Sequence, residues 1–597
     1  MPHCMPLAAF LKRIGTRSLS IVQRLRIQDL SLLGFAIGIG VLAAGGALLF
    51  RTLIEFFQGL FWFQGASFMD QVANSPWWLV VSIPFLGGLL AGPVIAFLVP
   101  EARGPGVPEV ILAVSARQSV IRHRVTFLKV LVSSLLLGTG ASVGREGPIV
   151  QIGSSVGSSL AQVFNLNPQL RRLCLACGAA AGIAATFNAP IAGSMFAMEI
   201  ILMNVEVSYM SYIVIAAITG SVLSRVFWGD FPAFKVIPFV MESYWELSAY
   251  LLLGIAAGVM SIVFVRLLFT IDKLFSRSVV PDWLTPALGG AVLGCMALVM
   301  PQVLGVGYET VNAALTDNLT LNMALALLAA KLVATAVCIG SGMSGGIFAP
   351  SLFLGAALGT AVGFGAEALW PQIAANPAFF ALAGMGAVVS GTTLAPITAI
   401  VTIFELTLHY EVILPLMAAC ISATLVVRFL FGYSVYELKL LKRGVNLVRG
   451  HDVAILRNIP VKDVMRKDVE TISASSTLED VMDHVLKSSF PHFVVLDDRG
   501  KLVGILSLRD LRRFLLKYDE LKSTTTVKDM MSTKVITLKA WDTMENAMKL
   551  FEEHRFSMFP VVGWDSGDVQ GIMVKDDLLK AYDERVLKDR VLSIAKR

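Results

Sequence analysis

The chain has 597 residues, of which 55% are hydrophobic and 15% charged, and a formal net charge of +6. Soluble domains average about one quarter charged residues, so a soluble fold of this composition would lack the polar surface to cover itself, and a large part of the chain needs lipid as its solvent. The basic residues cluster at the ends of apolar segments rather than along a stripe, which argues against nucleic acid as a partner.

Residues 1–27 read as a basic amphipathic segment, with Lys12, Arg13, Arg17, Arg24 and Arg26 ahead of the first long apolar run and no signal-peptide shape. Such charges are expected to stay cytoplasmic. A transmembrane domain is expected over residues 28–440. Its first span falls at 28–50 and its second at 77–99, each long enough for a hydrocarbon core of about 30 Å.

From residue 100 to 436 the apolar segments are cut repeatedly, in GPGVPEV (104–110), GREGP (144–148), FNAP (187–190), GGIFAP (345–350) and LAP (394–396). Bare backbone polar groups are not tolerated in lipid, so breaks at membrane depth need surrounding protein or a water-filled path. They therefore mark a transport pathway. GREGPIVQIGSSVG is echoed by GGIFAPSLFLGAALG in the second half, which implies an internal repeat of broken helices. Gly153, Gly157, Gly355 and Gly359 would let membrane helices approach closely.

Arg117, Arg122, Arg124 and Lys129 read as a basic loop and, with Arg171 and Arg172, fit a positive-inside orientation. The six cysteines, Cys4, Cys174, Cys177, Cys295, Cys338 and Cys420, lack the spacing of a disulfide framework. Cys174 and Cys177 read as small packed residues of an apolar helix.

Residues 441–460 read as a charged linker, after which the sequence repeats with an offset of 66: VKDVM (461–465) against VKDMM (527–531), and Phe490 and Phe493 against Phe556 and Phe559. One inserted residue then aligns GILSLRD (504–510) with GIMVKDD (571–577). Each unit, 461–526 and 527–597, reads as a strand, an amphipathic helix, two β-branched strands and a closing helix. This α/β pair resembles tandem CBS domains.

An anion crossing a membrane needs positive potential without a fixed cation that would hold it too tightly. Helix N-termini supply this through unsatisfied N–H groups and about half a positive charge each. Gly104-Pro105-Gly106, Gly144-Arg145-Glu146-Gly147-Pro148 and Gly346-Ile347-Phe348-Ala349-Pro350 fit that description, with glycines that let the backbone approach an ion. In the latter two, proline falls in the first turn of the following helix.

These three stretches in this order, followed by Ser434-Val435-Tyr436-Glu437, resemble the CLC family of chloride channels and proton antiporters. The resemblance implies a polytopic helical membrane protein with an inverted repeat, a homodimer with a separate pore in each subunit, and an address in a bacterial inner membrane with both termini cytoplasmic. It also implies that Glu146 is the gate, able to occupy an anion site itself until protonation or voltage displaces it. Tyr436 would offer its hydroxyl to the central ion, with the backbone N–H groups of Ile347 and Phe348. Gly104, Pro105, Gly106, Arg145 and Gly147 would complete the anion path.

Two departures from the family pattern bear on function. The first motif usually has serine between its glycines, and here Pro105 stands there. Proline offers neither hydroxyl nor N–H, so relaxed chloride selectivity with nitrate well accepted is expected. Second, coupled exchangers usually have an internal proton glutamate directly after the glutamate that follows FNAP, but here Glu199 is followed by Ile200. Isoleucine cannot relay a proton, and Glu199 lies about 100° away around a helix. On that ground channel-like transport is the expectation, with proton-coupled antiport as the alternative.

CBS pairs often bind adenine nucleotides through a hydroxyl three residues before an aspartate. Ser507 and Asp510 fit, whereas Val574 replaces the hydroxyl before Asp577, so at most one intact site for ATP, ADP or AMP is expected. No cofactor is otherwise required. An intramembrane metalloprotease would need HExxH, and none of the seven histidines begins one. A nucleotide-responsive scaffold without transport would not account for carboxylate and glycine at the helix breaks.

Overall fold

In the computed structural model the chain forms two compact units, residues 1–447 and 448–597. The structure describes residues 7–581 except 64, 66, 204–206, 230–233, 235, 238–243, 372–375, 444, 446–458, 489, 491, 516–517, 555, 564–567 and 579. Side chains are described from residue 31 onward, those of 207, 208 and 545 excepted. Most of the expected linker, the side chains of the basic N-terminal segment and Cys4 lie outside these residues.

The first half of the membrane unit contains α1 (Leu7–Phe61), α2 (Phe68–Ala73), α3 (Trp77–Pro93), α4 (Val107–Ala116), α5 (His123–Gly138), α6 (Glu146–Val163), α7 (Pro168–Phe187), α8 (Pro190–Phe196) and α9 (Val207–Trp228). The second half contains α10 (Glu246–Ser276), α11 (Thr285–Val299), α12 (Tyr308–Leu315), α13 (Leu321–Gly340), α14 (Phe348–Leu369), α15 (Pro377–Thr393), α16 (Pro396–Thr407) and α17 (Ile413–Leu430), and α18 (Val435–Lys442) ends the unit. Among the described residues eight helices are long and apolar enough to cross a membrane. The first expected span differs in extent: α1 is one helix from the basic segment through Phe61, and its spanning part is Ser31–Phe61. Nothing in the sequence before Phe61 interrupts it, because it contains no proline beyond Pro6.

Apart from α2, each first-half helix has a counterpart: α1 with α10, α3 with α11, and α4 to α9 with α12 to α17 in order. Even the short 3-10 turns Pro100–Ala102 and Pro301–Val303 correspond. Small residues set the packing identically in both halves. A Cβ on Gly153 would lie 2.1 Å from the Gly178 carbonyl oxygen, and one on Gly355 would lie 2.2 Å from that of Gly384. The α6/α7 and α14/α15 crossings thus bring backbone against backbone, as glycine permits in membranes. Cys174 and Cys177 are free and buried in α7.

The C-terminal unit contains two three-stranded sheets, β1 (Thr471–Ser473), β2 (His492–Leu496), β3 (Leu502–Ser507) and β4 (Leu538–Lys539), β5 (Met558–Val562), β6 (Val569–Val574). In each, the first strand pairs parallel and the third antiparallel to the middle one. The packing exchanges the leading segments. Val461 lies in the core around Leu538, Met544, Phe551 and Phe559, whereas Val527 and Met530 lie in the core around Leu478, Val481, Phe493 and Leu506. Backbone bridges tie the exchange down: Arg466 N–H donates to the Ile572 carbonyl at 2.9 Å, and Ser532 N–H to that of Ile505 at 2.9 Å.

Candidate functional site

The glycine-rich breaks of the two halves meet. Gly104 and Gly106 have φ of +76° and +81°, a region open to glycine but strained for other residues. Gly104 N–H donates to Met343 O at 3.2 Å and Gly345 N–H to Gly104 O at 3.3 Å. Gly144 and Gly346 exchange both backbone bonds, at 2.7 and 2.6 Å. The Pro105 carbonyl presses on Gly147, where a Cβ would lie 2.0 Å from the Pro105 oxygen and 2.9 Å from the Gly346 Cα. Residues 104–106, 144–147 and 346–348 therefore form one contiguous cluster.

Glu146 is the first residue of α6, only 2% exposed, and its carboxylate is held by groups of the second half. Tyr308, the first residue of α12, donates its hydroxyl to Oε1 at 3.0 Å, and Ala349 donates its N–H at the start of α14 to Oε2 at 3.3 Å. A carboxylate at a helix N-terminus lies in the positive end of the peptide dipoles. Next to Ala349, the N–H groups of Ile347 and Phe348 make no hydrogen bond among the described residues. The guanidinium carbon of Arg145 stands 5.1 Å from the Tyr308 ring and 6.0 Å from that of Phe187. The Phe348 ring packs 6.1 and 6.3 Å from Phe187 and Phe196. Tyr436 is buried at the start of α18, within electrostatic reach of Glu146, and α18 is fixed by the Ser434/Glu437 capping box. Its hydroxyl has no hydrogen-bond partner among the described residues.

Sequence reasoning missed Tyr308 and two lysines. Lys129 corrects an expectation: it is not part of a basic loop but fully buried in α5, donating to Ala102 O at 2.9 Å and Gly104 O at 3.4 Å. Lys331 on α13 does the same for the second half, donating to Val303 O at 3.0 Å and Gly305 O at 2.8 Å. Each lysine thus braces the carbonyls of a Gly-x-Gly loop, one in each half. The available signal was a lone lysine inside an apolar helix, which is costly in a membrane without a specific partner.

Ile200 is buried in the π turn Ala197–Ile201 that ends α8. Glu199 is turned to the start of α16, accepting from Ile397 N–H at 3.3 Å and from Thr398 N–H and Oγ1–H, both at 2.6 Å. Glu199 and Ile200 therefore stand apart from the Glu146 cluster in their contacts.

In the C-terminal unit Ser507 N–H and Oγ–H donate to Asp510 Oδ2 at 3.0 and 2.6 Å. The pair caps the helix Leu508–Leu515 that follows. Arg466 donates to Asp577 through two N–H groups, Nε to Oδ2 and Nη2 to Oδ1, the latter at 2.8 Å. The Arg466 guanidinium holds the Asp577 carboxyl below the usual carboxylate range. Burial pushes the His492 imidazole down, against the smaller opposing effect of Asp510.

Two inverted halves whose interrupted helices converge on one buried carboxylate define an integral membrane transport protein of the inverted-repeat class. Residues 87–428 match the voltage gated chloride channel family, and residues 461–517 and 527–584 match CBS domains. The chain belongs to the voltage gated chloride channel, or CLC, family, and anion transport is the activity of that family.

A Ralstonia nicotianae protein bearing the name of a ClcB-like chloride channel protein is 36% identical over 66% of this chain and 94% of its own length. The H(+)/Cl(-) exchange transporter ClcA of Cronobacter sakazakii is 36% identical over 71% of this chain and 92% of its own. Among solved structures, a slow cyanobacterial Cl-/H+ antiporter superposes with a TM-score of 0.62 at 27% identity, covering 69% of this chain and 97% of that one. A eukaryotic CLC transporter covers 92% of this chain and 98% of its own, with a TM-score of 0.61 at 22% identity, and shares the fold.

Proposed function

We propose that this protein exchanges small inorganic anions against protons across a bacterial inner membrane, with Glu146 as both gate and proton carrier. The observation that carries the reading is the carboxylate of Glu146 lying beside the unclaimed N–H groups of Ile347 and Phe348, where an anion would lie. An ionised carboxylate there competes with the travelling anion, and a protonated one gives way. Gly104, Pro105, Gly106, Arg145, Gly147 and Tyr436 frame the same path. Relatives named as exchangers at 36% identity support coupling. The test is to impose an anion gradient on liposomes holding the purified protein and record proton movement. Uphill proton flux is expected, and sustained anion flux with no proton movement would overturn coupling.

The second reading, an uncoupled channel, is favoured by Ile200 and by the commitment of Glu199 to the α16 N-terminus. Under either reading Pro105 lowers discrimination against nitrate, because the central site lacks a donor at that position. A homodimer with one pore per subunit and both termini cytoplasmic completes the assembly, and the protein acts as a transporter rather than an enzyme.

The CBS pair is the regulatory part of this proposal, taking ATP, ADP or AMP near Ser507 and Asp510. The Asp510 carboxylate would have to exchange its Ser507 bonds for ribose hydroxyls, and Asp577 its Arg466 contact. Calorimetry with each nucleotide is expected to give saturable heat that S507A and D510A remove. Absence of heat with all three would dispose of the site.

A further inference from the structure

The two halves differ at the gate in a way that their repeat makes visible. Gly104-Pro105-Gly106-Val107 of the first half corresponds to Gly305-Val306-Gly307-Tyr308 of the second, and Arg145-Glu146 corresponds to Ile347-Phe348. Val107 and Phe348 are thus the apolar counterparts of Tyr308 and Glu146. Symmetry is broken at both members of one pair, and these two are the residues that meet, hydroxyl to carboxylate, at 3.0 Å.

We propose that Tyr308 is a positioning residue that latches Glu146 in the anion path and thereby sets the pH at which the gate opens. The inference rests on the reading of Glu146 as gate. The Tyr308 ring is held edge-on by Phe234 at a centroid distance of 5.2 Å and is covered by Arg145 at 5.1 Å, so its hydroxyl is aimed rather than free to swing. Among the described residues, the charged and titratable groups facing Glu146 are Arg145, which precedes it at the cap of α6, Tyr308 on α12 and Tyr436 on α18, while α14 contributes backbone through Ala349.

The bond is selective for one protonation state. An ionised carboxylate accepts from both Tyr308 and Ala349, whereas a protonated carboxyl carries its own hydrogen on one oxygen and loses an acceptor site. Donors to the charged form favour that form. The Tyr308 hydroxyl therefore works with the α14 N-terminus to favour the seated, ionised carboxylate over the protonated one, and protonation releases the latch.

The experiment is Tyr308→Phe in the full-length protein in liposomes, with anion flux measured against pH varied on each side in turn. The substitution keeps the ring, and with it the Phe234 and Arg145 contacts. The pH of half-maximal flux is expected to move upward by about one unit on the side that titrates the gate. An unchanged midpoint, including one with a lower maximal flux as a mere packing role would give, overturns the latch. Tyr308→His, which returns an N–H donor, is expected to give a midpoint below that of Y308F. A midpoint equal to or above it counts against the latch and keeps the test independent of how well Y308F folds. E146Q separates the two claims: if E146Q keeps the wild-type pH dependence, the gate reading itself has failed, whatever Y308F does.

Discussion

Glu199 and Glu405 cap one another's helices. Glu199, just after α8, accepts from the backbone of Ile397 and Thr398 at the start of α16, at 3.3 and 2.6 Å. Glu405, near the end of α16, accepts from Ile191 and Ala192 at the start of α8, at 3.0 and 2.6 Å. The pattern is written in the chain as Ala-Pro followed nine residues after the proline by Glu, at 190 and 199 and again at 396 and 405. Each carboxylate sits at the positive end of a peptide dipole and satisfies N–H groups that lipid would leave bare.

This reciprocal pair predicts that Glu199 is structural. Replacing it with Gln leaves the shape and removes the charge from bonds that are worth about 1.5–3 kcal/mol when charge-assisted. E199Q should lower the melting temperature of the purified protein and leave its proton-to-anion ratio as in wild type. A changed ratio with unchanged melting would assign Glu199 to the proton path.

Pro105 predicts a selectivity change. With serine there, a hydroxyl donor returns between Gly104 and Gly106, and compact chloride gains more from it than nitrate. Reversal potentials in mixed chloride and nitrate should shift toward chloride in P105S. No shift would place the determinant of selectivity elsewhere.

The buried lysines predict a matched pair of defects. Lys331→Met leaves the Val303 and Gly305 carbonyls without their donor, at about 1–3 kcal/mol for a buried group left unsatisfied. Lys129→Met does the same to Ala102 and Gly104. Both variants should melt below wild type in detergent. Only K331M acts on the loop that leads into Tyr308, so its flux should also show the upward pH shift expected of Y308F. Wild-type melting in both variants would contradict the bracing role.

The Arg466–Asp577 contact joins an exchanged leading segment to the second sheet. Asp577 is depressed in the folded protein, so its contribution is present above the ordinary carboxylate range, near pH 3.9, and is lost as pH falls through the lower folded value. With Arg466 43% exposed, the contribution is small, under about 1 kcal/mol. R466Q should slightly lower the unfolding midpoint of the C-terminal unit at pH 7, with a deficit that shrinks at acid pH below the ordinary carboxylate range. An equal deficit at neutral and acid pH would mean that packing, not the ion pair, is lost.

The helix breaks were legible in the sequence because glycine and proline act locally. α4, α6 and α14 begin at Val107, Glu146 and Phe348, within the motifs singled out by composition alone. What stayed hidden depends on partners far along the chain. Tyr308 follows an ordinary Gly-x-Gly, and only the fold brings it to the carboxylate of Glu146, 162 residues away. Lys129 looked like one more charge in a basic stretch, since hydropathy does not reveal two carbonyls of a distant loop. The repeats of the C-terminal pair were plain at an offset of 66, but sequence order does not show that Val461 packs with the second sheet and Val527 with the first, because the exchange is a property of packing.

The role of Glu146 is tested most directly by anion flux through E146Q across a range of pH in liposomes. The glutamine cannot ionise, so anion flux is expected to lose its variation with pH and to run without accompanying proton movement. Flux through E146Q that retained the wild-type pH profile would contradict a gating role for Glu146.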